Sequence, residues 1–132
     1  METRIATSIE QSKKLIELGI DVNTADMDYI PFANDPKNYD CVINLWNNEH
    51  EDDWIPAWSL SALLSALPFD LIVDNKRYVF SMCKSFNKNG ETYAIKYSIF
   101  NTTFYLHLTD FYNNPIDACV EMIVKLNDMN LL

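Results

Sequence analysis

Four apolar segments that follow Pro68 constrain the fold more than any other feature of this sequence. They are rich in β-branched and aromatic residues and are separated by short polar stretches: FDLIV, RYVFSMCKSF, TYAIKYSIF and TFYLHLT. Between the second and third, Asn89-Gly90 is typical of a tight hairpin, because both residue types tolerate a positive φ. In the third, Tyr93, Ile95 and Tyr97 alternate with more polar residues. The pattern predicts an antiparallel meander of three or four strands with one packed face.

A helix is predicted near the start, in TSIEQSKKLIELG. Thr7 and Glu10 have the spacing of a capping box, and Gly19 follows as a C-terminal stop. Its apolar positions recur with helical spacing, so the segment is expected to cover the core with one face.

Two further helices are predicted, one central and one C-terminal. Ser59 precedes four leucines at helical spacing that end at Pro68. Asn114 and Pro115 stand where an N-cap and a first helical residue belong. The C-terminal helix carries a buried stripe and an exposed pair four residues apart: Ile116, Cys119, Val120, Ile123 and Leu126, with Glu121 and Lys125. The sequence therefore predicts an α+β fold in which a three- to four-stranded antiparallel meander packs against N-terminal, central and C-terminal helices.

Residues 20–58 differ from the rest in composition. They are dense in Asp, Asn and Pro and show neither a helical nor a strand period, apart from a short strand expected at residues 41–46. We expect an irregular acidic segment inside a single domain that spans residues 1–132.

Charge narrows the choice of partners. The net charge is -9, and residues 1–58 hold twelve acidic and four basic side chains. Coulomb repulsion therefore disfavours direct binding to nucleic acid or to an anionic membrane. A protein partner, a basic one included, a divalent cation or a homodimer is compatible with this charge.

The sequence predicts a soluble, cytoplasmic protein. Its first residues are polar rather than apolar, and no run of residues is long and apolar enough to span a membrane. Three widely spaced cysteines favour reduced thiols over disulfides: Cys41, Cys83 and Cys119.

Much catalytic chemistry is disfavoured. Two glycines are too few for a phosphate-binding loop or a dinucleotide fingerprint. Two isolated histidines disfavour a zinc site, and the cysteines fall on predicted buried positions. His50, in EHEDD, is a candidate for holding a cation, but a solvated acidic loop accounts for the same residues. We expect no cofactor, no metal and no catalytic residues.

Aromatic and acidic side chains of the first half are the candidate binding residues. Aromatics at a charged rim suit protein interfaces. Trp58, next to the predicted cap, is expected to pack in the core, and Trp54 is nearer the acidic residues. The candidates are Trp54, Asp52, Asp53, His50, Tyr29 and Tyr39.

An alternative site lies on the predicted sheet. His107 alternates with apolar neighbours, so it shares a strand face with Tyr105, and Lys96 is the candidate for a third member of a cleft on the open face. A partly exposed strand histidine without a catalytic role explains the same pattern more simply.

Three motifs resemble a family of small proteins of gut bacteria and of their phages and mobile elements. They are LIELGIDVNTADM at residues 15–27, PAWSLSALLSALP at residues 56–68 and NPIDACVEMIVKL at residues 114–126, where Lys125 replaces a frequent Trp. The resemblance implies a phage or mobile-element origin and no particular activity.

Three functions remain open on the sequence. The favoured one is a non-enzymatic protein-interaction or accessory protein. The alternatives are an acidic inhibitor that mimics nucleic acid and a small enzyme with a site near His107.

Overall fold

The computed structural model describes residues 4–43 and 53–132. The described elements are the helices α1 (Ile9–Glu17), α2 (Leu60–Ala66) and α3 (Pro115–Asp128), a 3₁₀ turn (Val22–Thr24), and the strands β1 (Met27–Phe32), β2 (Asp35–Ile43), β3 (Ile55–Ala57), β4 (Asp70–Val73), β5 (Lys76–Asn87), β6 (Gly90–Ser98) and β7 (Tyr105–Leu108). The predicted α+β class is confirmed. The chain divides into two compact units, Met1–Leu63 and Leu64–Leu132. That residues 1–132 form a single domain stays a prediction.

The second unit contains the predicted meander. Its four strands lie in the order β4-β5-β6-β7, and each pairs antiparallel with the next. The β4–β5 turn consists of Asp74 and Asn75, both with positive φ (53° and 64°), as a type I′ turn requires. The predicted β5–β6 hairpin is also present, but there Gly90 alone takes a positive φ, of 107°, and Asn89 does not.

The C-terminal helix α3 contacts β6 and β7 of this sheet. Asn114 caps it, since the side-chain oxygen accepts from the N–H of Ile116 at 2.9 Å, and Pro115 is the first helical residue. The predicted stripe is buried in full, together with Ala118 and Met122. Burial of this broad apolar face against the sheet is the main stabilisation of α3.

The first unit holds a three-stranded sheet in the order β2-β1-β3, all antiparallel. The expectation of an irregular segment over 20–58 is therefore wrong for residues 27–32, 35–40 and 55–57, whereas residues 41–43 of the short strand expected at 41–46 do lie in a strand, at the end of β2. These strands are rich in Pro, Asp and Asn, which are uncommon in strands. Cross-strand pairing and the packing of Met27 on Ala6 and Ala57 outweigh those weak propensities.

Helix α1 begins one residue later than its capping pattern predicted. Ser8 is the N-cap: its side chain accepts from the N–H of Gln11 at 3.1 Å, and the Gln11 side chain accepts from the N–H of Ser8 at 3.0 Å. Thr7 is fully buried instead, and its hydroxyl lies 2.8 Å from that of Ser12. The predicted stop at Gly19 is confirmed by its φ of 88°.

Candidate functional site

The two tryptophans at the start of the core have different environments. Trp58 is fully buried, its indole N–H donates to the Thr24 hydroxyl at 2.9 Å, and its backbone N–H donates to the Thr7 hydroxyl at 3.1 Å. Trp54 is half-buried and precedes β3. The expectation that Trp58 packs in the core is confirmed, and of the two only Trp54 retains surface.

Tyr29 is a structural anchor rather than a free surface group. Its hydroxyl donates to the backbone carbonyl of Thr7 at 2.7 Å, which ties β1 to the chain before α1. Burial raises the pKa of Tyr29, and the neighbouring Cys41 thiol adds to the effect. Its role is therefore to position the sheet.

Of the other predicted binding residues of the first half, the structure describes Tyr39 and Asp53, which lie on different elements. Tyr39 is half-buried in β2 opposite Pro31. Asp53 is exposed in a turn just before Trp54. Asp52 and His50 lie outside the described residues. Tyr39 and Tyr29 share a sheet face, because Tyr39 pairs directly with Pro31, which lies two residues from Tyr29 in β1.

Strand β2 forms one edge of the three-stranded sheet. Within residues 4–43 and 53–132, no strand pairs with its outer side. It is nine residues long, and most of its side chains reach solvent, including Asp35, Lys37, Asp40 and Ile43, the last 65% exposed. An edge strand carries backbone N–H and C=O groups that can pair with another chain. Sequence propensity indicated only residues 41–43 of this strand, because residues 35–40 are rich in Asp, Pro and Asn, which are uncommon in strands.

Two prolines indicate which backbone groups of β2 point outward. Asp28 of β1 faces Pro56 of β3, and Pro56 has no N–H, so this position suits a pair without hydrogen bonds. Asp28 therefore directs its N–H and C=O to its β2 partner, Val42. Pro31 lies three positions further along β1, so its backbone groups point to the β3 side. It lies beyond Tyr29, the last residue of β1 that pairs with β3. Because the direction of the backbone groups alternates along a strand, the N–H and C=O of Val42 point to β1, and those of its neighbours in β2 point outward.

The three outward residues share one sheet face. Tyr39, Cys41 and Ile43 pair with Pro31, Tyr29 and Met27, and Tyr29 and Cys41 pack against the buried cluster of this unit. Burial raises the pKa of the Cys41 thiol, and the carboxylates of Asp40 and of neighbouring residues add to this, so the thiol is protonated at neutral pH. Asp40, exposed, lies on the opposite face. The edge thus presents an apolar side and a side that carries the Asp40 carboxylate next to Val42.

The alternative residues on the second sheet do not form the expected cleft. Lys96 faces Leu108 and Tyr97 faces His107, so Lys96 and His107 point to opposite faces. Tyr105 is opposite Ser98, beyond an irregularity in the pairing, and is 57% exposed. The expectation that the three residues share the open face is not met.

His107 lies on the side of the sheet that α3 covers. Burial lowers its pKa, and the nearby Lys125 ammonium of α3 lowers it further. Nε2 of His107 is buried without a hydrogen-bond partner. These features describe a neutral imidazole packed beneath a helix.

A polar network joins α3 to the outer edge of β7. The Lys125 ammonium donates to the carbonyl of Leu108 at 2.9 Å and lies 3.5 Å from Glu121. The Glu121 carboxylate accepts from the backbone N–H of Asp110 at 3.1 Å and from the Tyr112 hydroxyl at 2.7 Å. This hydrogen bond and burial raise the pKa of Tyr112 to about 12. The sequence indicated the Glu121–Lys125 pair of α3, but not the contacts of this pair with the edge of β7.

Comparison with family models, with curated proteins and with solved structures finds no match. In the part of the chain that the structure describes, no three His, Cys, Asp or Glu side chains are grouped as metal ligands. No helix of that part has the length and apolar character that a membrane span requires.

Proposed function

We propose that this chain is a non-enzymatic protein-interaction protein, an accessory factor of phage or mobile-element origin, that binds a basic protein partner along the edge of β2. The observation that carries the proposal is the nine-residue edge strand with exposed Asp35, Asp40 and Ile43. Main-chain groups at a sheet edge give affinity, and the side chains beside them give specificity. The origin rests on the resemblance of the three sequence motifs.

Charge supports a basic partner over a second copy of the chain. The described residues of the first unit carry eight acidic and four basic side chains. Two copies, each with a net charge of -9, repel one another, whereas a cationic partner is attracted and its association is accelerated.

The mimicry hypothesis has less support, because several carboxylates serve the fold. Asp21 accepts from the N–H of Asn23 at 2.9 Å, and Asp26 accepts from the N–H of Ser59 at 2.8 Å. Asp28 is 1% exposed. Asp21 is exposed, but the half-buried Asp26 and the buried Asp28 add little to an array of charges that a nucleic-acid-binding protein could contact. The enzyme hypothesis also has less support, because its three residues do not form one cleft. The mimicry and enzyme hypotheses both stay predictions.

A display experiment tests the proposal. The immobilised chain is used to select from a random-peptide library, in parallel with an Asp35→Asn/Asp40→Asn variant and an Asp74→Asn/Asp128→Asn variant. The second variant has the same change of charge at exposed positions of the other unit. We expect the native chain and the second variant to enrich peptides of net positive charge, and the first variant to lose that enrichment. Absent enrichment, or equal enrichment by all three proteins, contradicts the proposal.

A further inference from the structure

We infer that the partner docks by strand addition: an extended segment of the partner pairs antiparallel with β2 and becomes the fourth strand of the first sheet. This inference rests on the proposed function and adds the mode of binding and the chemistry of the bound segment. Its basis is the combination of an edge position, outward backbone groups and two chemically different faces in one strand.

The backbone supplies a defined set of hydrogen bonds. Tyr39, Cys41 and Ile43 direct their N–H and C=O groups away from β1, as the positions of Pro31 and Pro56 indicate. In an antiparallel sheet, two directly opposite residues can exchange two hydrogen bonds, each N–H donating to the other residue's C=O. Three residues of the added segment therefore satisfy the three outward residues of β2.

Side chains define the sequence pattern of the segment. Residues opposite Tyr39, Cys41 and Ile43 lie on the face of the buried cluster, so apolar side chains there extend that cluster and cover Ile43, which is 65% exposed. The intervening residues lie on the face of Asp40 and Val42, where a cationic side chain meets the Asp40 carboxylate. The bound segment thus alternates apolar and basic residues.

The outer edge of the second sheet at β7 differs from the edge at β2. There the carbonyl of Leu108 and the N–H of Asp110 are bonded to Lys125 and Glu121 of α3. A strand that approached β7 would have to displace both side chains. The β2 edge is accordingly the better acceptor of the two.

The test uses a capped synthetic peptide of alternating valine and lysine, labelled with a fluorophore, and measures its binding to the intact chain by anisotropy. In the inferred complex the valines face the outward residues of β2, so their N–H groups are bonded, whereas the lysine N–H groups point away. Two matched peptides carry equal numbers of N-methyl groups, one on valines and one on lysines. We expect methylation on valines to weaken binding at least about tenfold, and methylation on lysines to change it by less than about threefold.

The comparison of the two methylated peptides uses the unaltered protein, so a folding defect cannot explain a difference between them. Equal effects of the two methylation patterns, or no binding of the parent peptide, overturn strand addition. If binding is indifferent to the position of the methyl groups but is lost in the Asp35→Asn/Asp40→Asn variant, the basic-partner function stands and only its mode fails. Absence of charge selection by the native chain in the display experiment, or equal selection by all three proteins, overturns both.

Discussion

The ammonium of Lys125 donates a hydrogen bond of 2.9 Å to the backbone carbonyl of Leu108, at the outer edge of β7. The N–H of Thr109, the next residue, donates to the carbonyl of Ile95 in β6. Because the direction of backbone groups alternates along a strand, the carbonyl of Leu108 points away from β6. Glu121, one helical turn before Lys125, accepts from the N–H of Asp110 on the same edge. A charge pair on the surface of α3 thereby occupies backbone groups that pairing with another strand would need.

Lys125→Met should lower the free energy of unfolding by about 1 kcal/mol, because it removes the hydrogen bond to Leu108 while keeping most of the aliphatic stem. Urea denaturation measures the change. Lys88→Met, at an exposed turn position, is the matched control and should be nearly neutral. Equal effects of the two substitutions would show that the Lys125 contact contributes nothing.

His107 should make stability depend on pH. Its folded-state pKa is lowered below 6.5, so the unfolded chain binds the proton more readily, and stability is lost as pH falls below 6.5 towards the folded pKa. In urea titrations between about pH 7 and pH 5, His107→Gln should remove this component. His50→Gln is the control and should retain it. An unchanged pH profile in His107→Gln contradicts the prediction.

Trp58→Phe should destabilise the chain by about 2 kcal/mol, since it removes buried volume and the hydrogen bond to Thr24. Trp54→Phe makes the same chemical change at a half-buried position and should cost less than about 1 kcal/mol. Thermal and urea unfolding of both variants provide the comparison. The reverse order of effects would show that Trp54 is the core residue.

Thr7→Val should cost about 1 to 3 kcal/mol, because the buried hydroxyl bonds Ser12 and accepts the N–H of Trp58, and both groups lose a partner inside the first unit. Thr103→Val, at an exposed loop position, is the isosteric control. Hydrogen exchange at the Trp58 amide adds a local measurement and should accelerate only in Thr7→Val. If that amide keeps its protection, the hydroxyl is not its essential acceptor.

Local patterns predicted the second unit well because they agree there with tertiary structure. Asn114 before Pro115 begins α3, and the alternating segments after Pro68 become β4 to β7. In α1 the same kind of pattern was ambiguous, since Thr7 and Ser8 both have capping side chains. Burial resolved the choice: the Thr7 hydroxyl is used by Ser12 and Trp58, which are not visible in a local pattern.

The candidate site was less accessible to sequence reasoning. Strands β1 and β2 depend on pairing with each other, and proline and aspartate conceal them in a propensity-based prediction. His107 and Lys96 were assigned to one face from the alternation within single strands. Which residues share a face across strands depends on register, and the observed pairing of His107 with Tyr97 separates the two.

The position of β2 also bears on how the protein behaves at high concentration. At neutral pH the net charge of -9 opposes association between copies, and under the proposed function it favours a cationic strand at the edge. That repulsion disappears near the isoelectric point of the sequence, about pH 4.4, where the net charge of the chain reaches zero. Acidification would then leave the unpaired edge of β2 free to pair between copies, so the nine residues proposed for recognition would also limit colloidal stability.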